Sequence, residues 1–142
     1  MKKRTTKIGS ITPSKEDYLE RIYDLSLVDE NVRSVDVARA LNVSRASVNK
    51  SIGGLKEDGY IEQEHYGAIT LTKKGKLVAK EIRVKHNTIR AFLINILNVD
   101  YETADFEACE MEHTISKDTA NKLAAFLEKE GVKIGTEADE QK

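Results

Sequence analysis

Apolar residues recur at helical spacing over the first part of the chain. Pro13 suits the first turn of a helix, and Thr12 or Ser14 can cap it. A first helix is therefore predicted over residues 12–27. Its apolar face consists of Tyr18, Leu19, Ile22, Tyr23 and Leu25.

Two shorter helical patterns follow, separated by a break at residues 42–45. The first, residues 34–43, begins at Ser34, a residue type that caps helices. The second, residues 44–60, contains Gly53 and Gly54, which weaken a helix by about 1 kcal/mol each. The pattern nevertheless predicts a helix, whose inward positions are Val48, Ile52 and Leu55.

The spacing then changes from helical to alternating. Two short strands are predicted at residues 61–64 and 68–71, around a turn at residues 65–67. Helical spacing returns after this hairpin, and Thr72 can cap the first of the new helices. The predicted helices cover residues 72–97, 101–114 and 116–130, and a polar tail follows.

The order helix, helix, turn, helix and two-stranded hairpin is typical of a winged helix-turn-helix DNA-binding domain. In that geometry the solvent side of the third helix carries short polar and basic groups, which suit base edges and phosphates. The alternative is a small helical domain with a polar surface helix. The residues predicted to contact DNA are Ser34, Ser44, Arg45, Ala46, Ser47, Asn49, Lys50 and Lys56.

The distribution of charge supports this interpretation. The net charge is −1, but residues 1–98 contain 18 basic and 12 acidic side chains, whereas residues 99–142 contain 5 and 12. The first part suits a polyanion, and the second suits cations or solubility. No apolar run follows the basic N-terminus, so neither a signal peptide nor a membrane span is expected. One cysteine and no export signal favour the cytoplasm.

The sequence EACEMEH, residues 107–113, concentrates side chains that bind metals. If this segment is helical, Cys109, Glu112 and His113 project from one side of it. A single cysteine is, however, more often a small buried apolar residue than a ligand. The segment alone is therefore compatible with a metal site or with an ordinary surface helix.

Three residues elsewhere could complete such a site. Asp17 and Glu20 share a face of the first helix, and His86 lies midway along the long fourth helix. Each has an ordinary alternative: a capping box with Ser14 for Asp17, a surface charge for Glu20 and a satisfied imidazole for His86. Taken together with residues 107–113, they provide the mixed O, N and S donors that suit Fe(II), Mn(II), Co(II) or Zn(II).

In these residues and their order, the chain resembles the diphtheria-toxin-repressor (DtxR/MntR) family of metal-dependent transcriptional repressors. It is most similar to the short manganese-transport-regulator branch, which lacks the SH3-like domain of longer members. The similarity covers roughly residues 10–130, and its motifs come from separate segments in the same order. These motifs are TPSKEDYLERIYDL, VARALNVSRASVNKSIGGLKEDGYI, LTKKGK, KH at Lys85-His86 and CEMEHTIS.

The resemblance implies a mainly α protein, in which a winged helix-turn-helix DNA-binding domain precedes a helical dimerisation and metal-binding domain. The expected boundaries are residues 1–73 for the DNA-binding domain, 74–98 for a linker helix, 99–131 for the second domain and 132–142 for a flexible tail. The implied function is repression of metal-uptake genes by a homodimer that binds a palindromic double-stranded DNA operator when loaded with metal. No enzymatic activity, membrane partner or organic substrate is expected.

The ligands that the resemblance implies are Asp17, Glu20, His86, Cys109, Glu112 and His113. Cys109 stands where the manganese branch has a glutamate and the iron branch a cysteine, whereas Asp17 is typical of the manganese branch. The expected cofactor is therefore Fe(II) or Mn(II), with Co(II) or Zn(II) possible in vitro. Arg90 and Asp105 stand where the iron branch has an acid and a histidine of an ancillary site, so that site is not expected in its usual form.

Three further interpretations remain open from the sequence. A metalloenzyme could use the cluster of Cys109, Glu112 and His113, but the ligand set leaves no obvious nucleophile or base beside the metal. A winged-helix regulator could respond to an organic ligand or a redox signal, with Cys109 buried and no metal site. A structural zinc site would instead make folding depend on metal.

Ala46 also stands where family members often have a proline, so the operator sequence cannot be transferred from the family.

Overall fold

The computed structural model describes residues 11–65 and 67–135, and it divides into two compact units, residues 1–79 and 80–142. The described residues form six helices and two strands, and none of these helices is long and apolar enough to cross a membrane. The predicted mainly α fold and the predicted order of elements are confirmed. The elements are α1 (Pro13–Val28), α2 (Ser34–Leu41), α3 (Arg45–Glu57), β1 (Ile61–Gln63), β2 (Ile69–Leu71), α4 (Lys73–Asn95), α5 (Tyr101–Met111) and α6 (Lys117–Lys129).

The helix starts of the first unit are fixed by side-chain caps. Thr12 accepts a hydrogen bond from the backbone N–H of Lys15 at the start of α1. Ser44 accepts from the backbone N–H of Ser47 at the start of α3. The prediction that Ser34 caps α2 was wrong. Ser34 is the first helical residue, Arg33 precedes it as the cap, and the Asp36 carboxylate accepts from the backbone N–H of Arg33.

The hairpin is a short antiparallel ribbon that packs on the helices of the first unit. Ile61 pairs with Leu71, and Gln63 pairs with Ile69. Each strand has three residues, fewer than predicted, because the chain already turns at Glu64, whose carbonyl accepts from Gly67 N–H. Residue 66 of the predicted turn lies outside the described residues. The buried core under the ribbon includes Leu19, Ile22, Val37, Val48, Ile52, Leu55, Ile61 and Ile69.

The second unit contains most of α4, with α5 and α6 packed on it. The small side chains of Ala104 and Ala108 on α5 are fully buried in one cluster with Ile89 and Leu93 of α4. The two helices therefore share a buried apolar cluster, and the polar residues His86 and Asp105 meet beside it.

Two helices of the second unit end earlier than predicted. α4 ends at Asn95, so Ile96 and Leu97 belong to a turn, in which Asn98 adopts a left-handed conformation with φ 58°. α5 ends at Met111, which places Glu112 at the helix C-cap and His113 beyond it. The chain turns again after α6 at Gly131 (φ 76°). Residues 132–135 of the predicted tail are described, and residues 136–142 lie outside the described residues.

Candidate metal centre and DNA-binding face

Three of the six predicted ligands meet inside the second unit. His86, Cys109 and Glu112 each offer one ligand atom, and these three atoms lie within 4.8 Å of one another. His86 and Glu112 are almost completely buried, whereas Cys109 is half-buried. α4 supplies the imidazole, and the last turn of α5 and its cap supply the thiol and the carboxylate.

The spacing and chemistry of this cluster fit a divalent transition metal. Metal–nitrogen, metal–oxygen and metal–sulfur bonds of about 2.0–2.3 Å allow two ligands of one ion to be at most roughly 4.6 Å apart. The three atoms need only small side-chain movements to meet that limit. A set of imidazole, thiolate and carboxylate suits Fe(II), Co(II) or Zn(II) and also admits Mn(II).

His113 lies next to this cluster. Its Nε2 atom is 3.7 Å from Oε1 of Glu112, and its side chain is 9% exposed. The position beyond the end of α5, rather than on a continued helix, brings the imidazole to the second oxygen of the same carboxylate. His113 is therefore close enough to share an ion with Glu112.

The remaining two predicted ligands belong to the first unit. Asp17 and Glu20 lie one turn apart on α1, as the sequence predicted. Asp17 is exposed, whereas Glu20 is buried, with 6% of its surface accessible. A buried carboxylate is costly unless it has partners, so the burial of Glu20 argues against a mere surface charge.

Two residues that the sequence placed outside the site contact the buried imidazole. Oδ1 of Asp105 lies 2.8 Å from Nε2 of His86 and also 2.8 Å from Nη1 of Arg90. On its other side, Nδ1 of His86 lies 3.1 Å from Oε2 of Glu112. Two sequence signals pointed to this arrangement: the i, i+4 spacing of His86 and Arg90, and the family resemblance, which places Arg90 and Asp105 at the positions of an ancillary site.

These neighbours determine the direction in which the pKa of Asp105 departs from its usual value. Burial, the largest single effect, raises the pKa of Asp105. The hydrogen bonds from Arg90 and His86 and their positive charge together outweigh burial and lower the pKa below its usual range. Asp105 is consequently a carboxylate at neutral pH.

The residues predicted to contact DNA lie on one part of the first unit. Arg45, Ala46, Ser47, Asn49 and Lys50 are exposed along α3, together with the cap Ser44. Ser34, Arg45, Asn49 and Lys56 line a cleft between these helices and the hairpin.

Lys56 also has a structural role at this cleft. Its Nζ atom donates a hydrogen bond of 2.9 Å to the carbonyl of Gln63 in β1. The Gln63 side chain in turn donates to the carbonyl of Gly67. The end of α3 is thereby tied to the hairpin.

Comparison with known proteins shows the same two parts. Residues 10–69 match the family model described as the iron-dependent repressor N-terminal DNA-binding domain. Residues 72–132 match the model described as the iron-dependent repressor metal-binding and dimerisation domain. Both halves of the chain are therefore matched in order.

Individual relatives agree with these matches. An uncharacterised helix-turn-helix transcriptional regulator of Methanocaldococcus jannaschii is 40% identical over 84% of this chain and 96% of its own length. The transcriptional regulator MntR of Lysinibacillus sphaericus is 34% identical over 82% of this chain and 84% of its own length. The solved structure of the manganese regulator SloR matches with a TM-score of 0.73 and 35% identity over 83% of this chain. The match covers 55% of the SloR chain, so this chain spans about half the length of that relative.

Proposed function

Because the chain belongs to the family of iron-dependent repressors, which are metal-dependent transcriptional repressors, we propose that it senses Fe(II) or Mn(II) and represses metal-uptake genes. The observation that carries this proposal is the buried cluster of His86, Cys109 and Glu112. It lies in a chain whose first unit has the elements of a winged helix. A metal-binding module and a DNA-binding module together support regulation of transcription by metal.

We further propose that Asp17, Glu20 and His113 complete the ligand set. Three ligands from the second unit leave coordination positions that additional carboxylates and an imidazole can fill. Carboxylates brought together at one metal repel one another when they are ionised. A bound divalent cation supplies the positive charge that offsets this repulsion. The residues of both units would then hold the recognition helices in a DNA-binding arrangement, and DNA would tighten metal binding by the same factor.

The choice between the two metals depends on Cys109. A thiolate is a softer ligand than a carboxylate and favours Fe(II), Co(II) or Zn(II) over Mn(II). Up to three carboxylates in the same set keep Mn(II) possible. Iron is the first candidate because Cys109 offers a thiolate. Manganese is supported by the names of the relatives MntR and SloR.

The proposed partner is a palindromic duplex operator bound by a homodimer. The α3 helices of two subunits would enter successive major grooves, about 34 Å apart along the DNA. Arg45, Asn49 and Lys50 are exposed on α3 for contacts with bases and phosphates. A repressor of this kind acts where the DNA is, so we place it in the cytoplasm, and we assign it no catalytic reaction.

The decisive experiment measures operator binding as a function of buffered metal. Duplexes are first enriched from a randomised library by the protein in parallel with Mn(II), Fe(II), Co(II) and Zn(II), the iron samples under anaerobic conditions. Fluorescence anisotropy of the enriched duplex is then measured for the wild type and for His86→Ala, with a chelator as the metal-free reference.

We expect binding in metal to exceed binding in chelator by tenfold or more, and His86→Ala to lose this difference. Lys122→Ala, at an exposed ion pair on α6, is the matched control and should behave as the wild type. Equal binding with every metal and with chelator would overturn the proposal and favour a regulator with an organic or redox signal.

A further inference from the structure

The imidazole of His86 has a carboxylate on each of its two nitrogens. Nδ1 faces Oε2 of Glu112 at 3.1 Å, and Nε2 faces Oδ1 of Asp105 at 2.8 Å. The ring itself is 1% exposed, whereas the Asp105 side chain is 44% exposed. The two contacts fix the orientation of the ring about its Cβ–Cγ bond.

The Asp105 carboxylate is also fixed. Its Oδ1 atom accepts from Nη1 of Arg90 at 2.8 Å, and Nη2 of the same guanidinium lies 3.3 Å from Oδ1 of Asn87. The guanidinium carbon lies 5.3 Å from the ring centre of Tyr101, one turn before Asp105 on α5. Arg90 thus contacts groups on both helices and holds Asp105 against the imidazole.

A carboxylate held by a guanidinium accepts hydrogen bonds and cannot donate one. Nη1 of Arg90 also lies 3.4 Å from Nε2 of His86, so this nitrogen faces both members of the Asp105–Arg90 pair, whereas Nδ1 faces the proposed ligand Glu112. A histidine that binds a metal through one nitrogen commonly donates its other N–H to a carboxylate, which fixes the tautomer and makes the ring a better ligand.

We propose that Asp105, held by Arg90, is a positioning residue of the metal centre that orients the His86 ring so that Nδ1, the nitrogen facing Glu112, is its ligand atom. The inference rests on the proposed metal site and adds two residues to it. Asp105 is not itself a ligand, because Arg90 occupies the carboxylate oxygen that faces the imidazole. A second cation beside the guanidinium would also be repelled by it.

The first test identifies the nitrogen of His86 that binds metal. In two-bond 1H–15N spectra of protein labelled at histidine and loaded with Zn(II), we expect Nδ1 of His86 to bind the ion and Nε2, which faces Asp105, to carry the proton. A metal bound through Nε2 would overturn the inference.

The second test measures affinity for Co(II) in competition with a chromophoric chelator. We expect Asp105→Ala to bind about 10–100-fold more weakly than the wild type, with Asp105→Asn in between, because an amide oxygen still accepts but carries no charge. Asp118→Asn, which removes an exposed carboxylate on α6, is the matched control with unchanged affinity.

The Co(II) absorption spectrum shows whether Asp105 positions His86 or is itself a metal ligand. Saturated Asp105→Ala should keep the band positions and intensities of the wild type, since the ligands are unchanged. A change in coordination, or equal affinity of all variants, would overturn the inference. If the wild type bound no metal at all, the proposed function would fail, whereas metal binding by the wild type with equal affinity of all variants would overturn this inference alone.

Discussion

At the scale of single residues, Cys109 differs from the other side chains of the candidate metal centre in its chemistry. Glu112 and His113 would serve an iron site or a manganese site equally well, but a thiolate discriminates between them. We predict that Cys109→Glu raises the affinity for Mn(II) relative to Zn(II) by at least about tenfold. Competition with a chromophoric chelator measures both affinities.

Cys109→Ser is the control for this substitution. It removes the thiolate without adding a carboxylate, and it should weaken the binding of every metal. An unchanged ranking of metals in Cys109→Glu would contradict the assignment of the thiolate as a ligand.

Asp100 gives a prediction about pH at the start of α5. Its side chain accepts from the backbone N–H of Thr103 at 3.1 Å, and this hydrogen bond lowers the pKa of Asp100 below its ordinary value of 3.8. A carboxyl group whose pKa falls on folding stabilises the fold above its unfolded pKa, and the contribution is lost as the pH falls through the folded value. Asp100→Asn should therefore be less stable than the wild type at pH 6, and the difference should disappear in strong acid.

Urea unfolding followed by circular dichroism between pH 2 and pH 7 measures this difference. Glu110→Gln, at an exposed residue on the same helix, is the control. A difference that stayed constant over the whole pH range would contradict a role for the ionised carboxylate.

The sequence predicted the residues of the cluster because their types and spacing are informative without a structure. Cys109 and Glu112 are three residues apart, and His86 was one of only three histidines. The role of Asp105 could not be predicted in this way. Its carboxylate meets His86 across the packing of α5 on α4, where Ala104 and Ala108 are buried, and neither spacing nor composition specifies that contact.

At the scale of elements, the start of α4 packs against the chain just before the hairpin. A Cβ atom built on Gly75 would lie only 2.0 Å from the carbonyl oxygen of Tyr60, a backbone atom. The same carbonyl accepts from Thr72 N–H, and Thr72 donates its hydroxyl to the Gly59 carbonyl. We predict that Gly75→Ala destabilises the protein by about 1–3 kcal/mol, because helix and hairpin must separate.

Gly53→Ala is the matched control in a helix. No atom lies within 4 Å of a Cβ built there, and alanine is the better helix former, so stability should be equal or higher by up to about 1 kcal/mol. Chemical denaturation measures both variants. A gain of stability in both variants would contradict the close contact between Gly75 and the carbonyl oxygen of Tyr60.

The order of elements was predicted correctly because each helix has a distinct apolar face and most have a recognisable cap. The helix ends were predicted less well. α4 ends at Asn95 without a glycine or proline, and its last turn closes by a hydrogen bond from Leu97 N–H to the Phe92 carbonyl. Apolar residues such as Ile96 continue the helical spacing beyond that point, so the pattern alone extends the helix too far.

At the scale of the whole molecule, the exposed aromatic residues of the described chain indicate where a second copy can bind. Tyr101, Phe106 and Phe126 all belong to the second unit, which matches the dimerisation model, and Phe106 is 68% exposed. Aromatic residues are enriched in protein interfaces. We predict that Phe106→Glu weakens the dimer by at least about tenfold and weakens operator binding with it.

Sedimentation equilibrium measures the dimer, with Val28→Glu as the control at an apolar residue of the first unit that is 83% exposed. Weakening by both variants alike would point to a general effect of added charge.

The sequence predicted a dimer only through family resemblance, because apolar spacing does not tell which residues stay exposed after folding.

Arg90 gives the second unit a cation that is covalently part of the chain. A chelator cannot remove it, and at neutral pH a guanidinium stays charged. The metal-free protein consequently keeps the contact between α4 and α5 through Asp105. We predict that circular dichroism shows the same helix content with and without chelator, whereas a structural zinc site would lose it. The fixed charge of Arg90 therefore makes this contact between the two helices independent of bound metal.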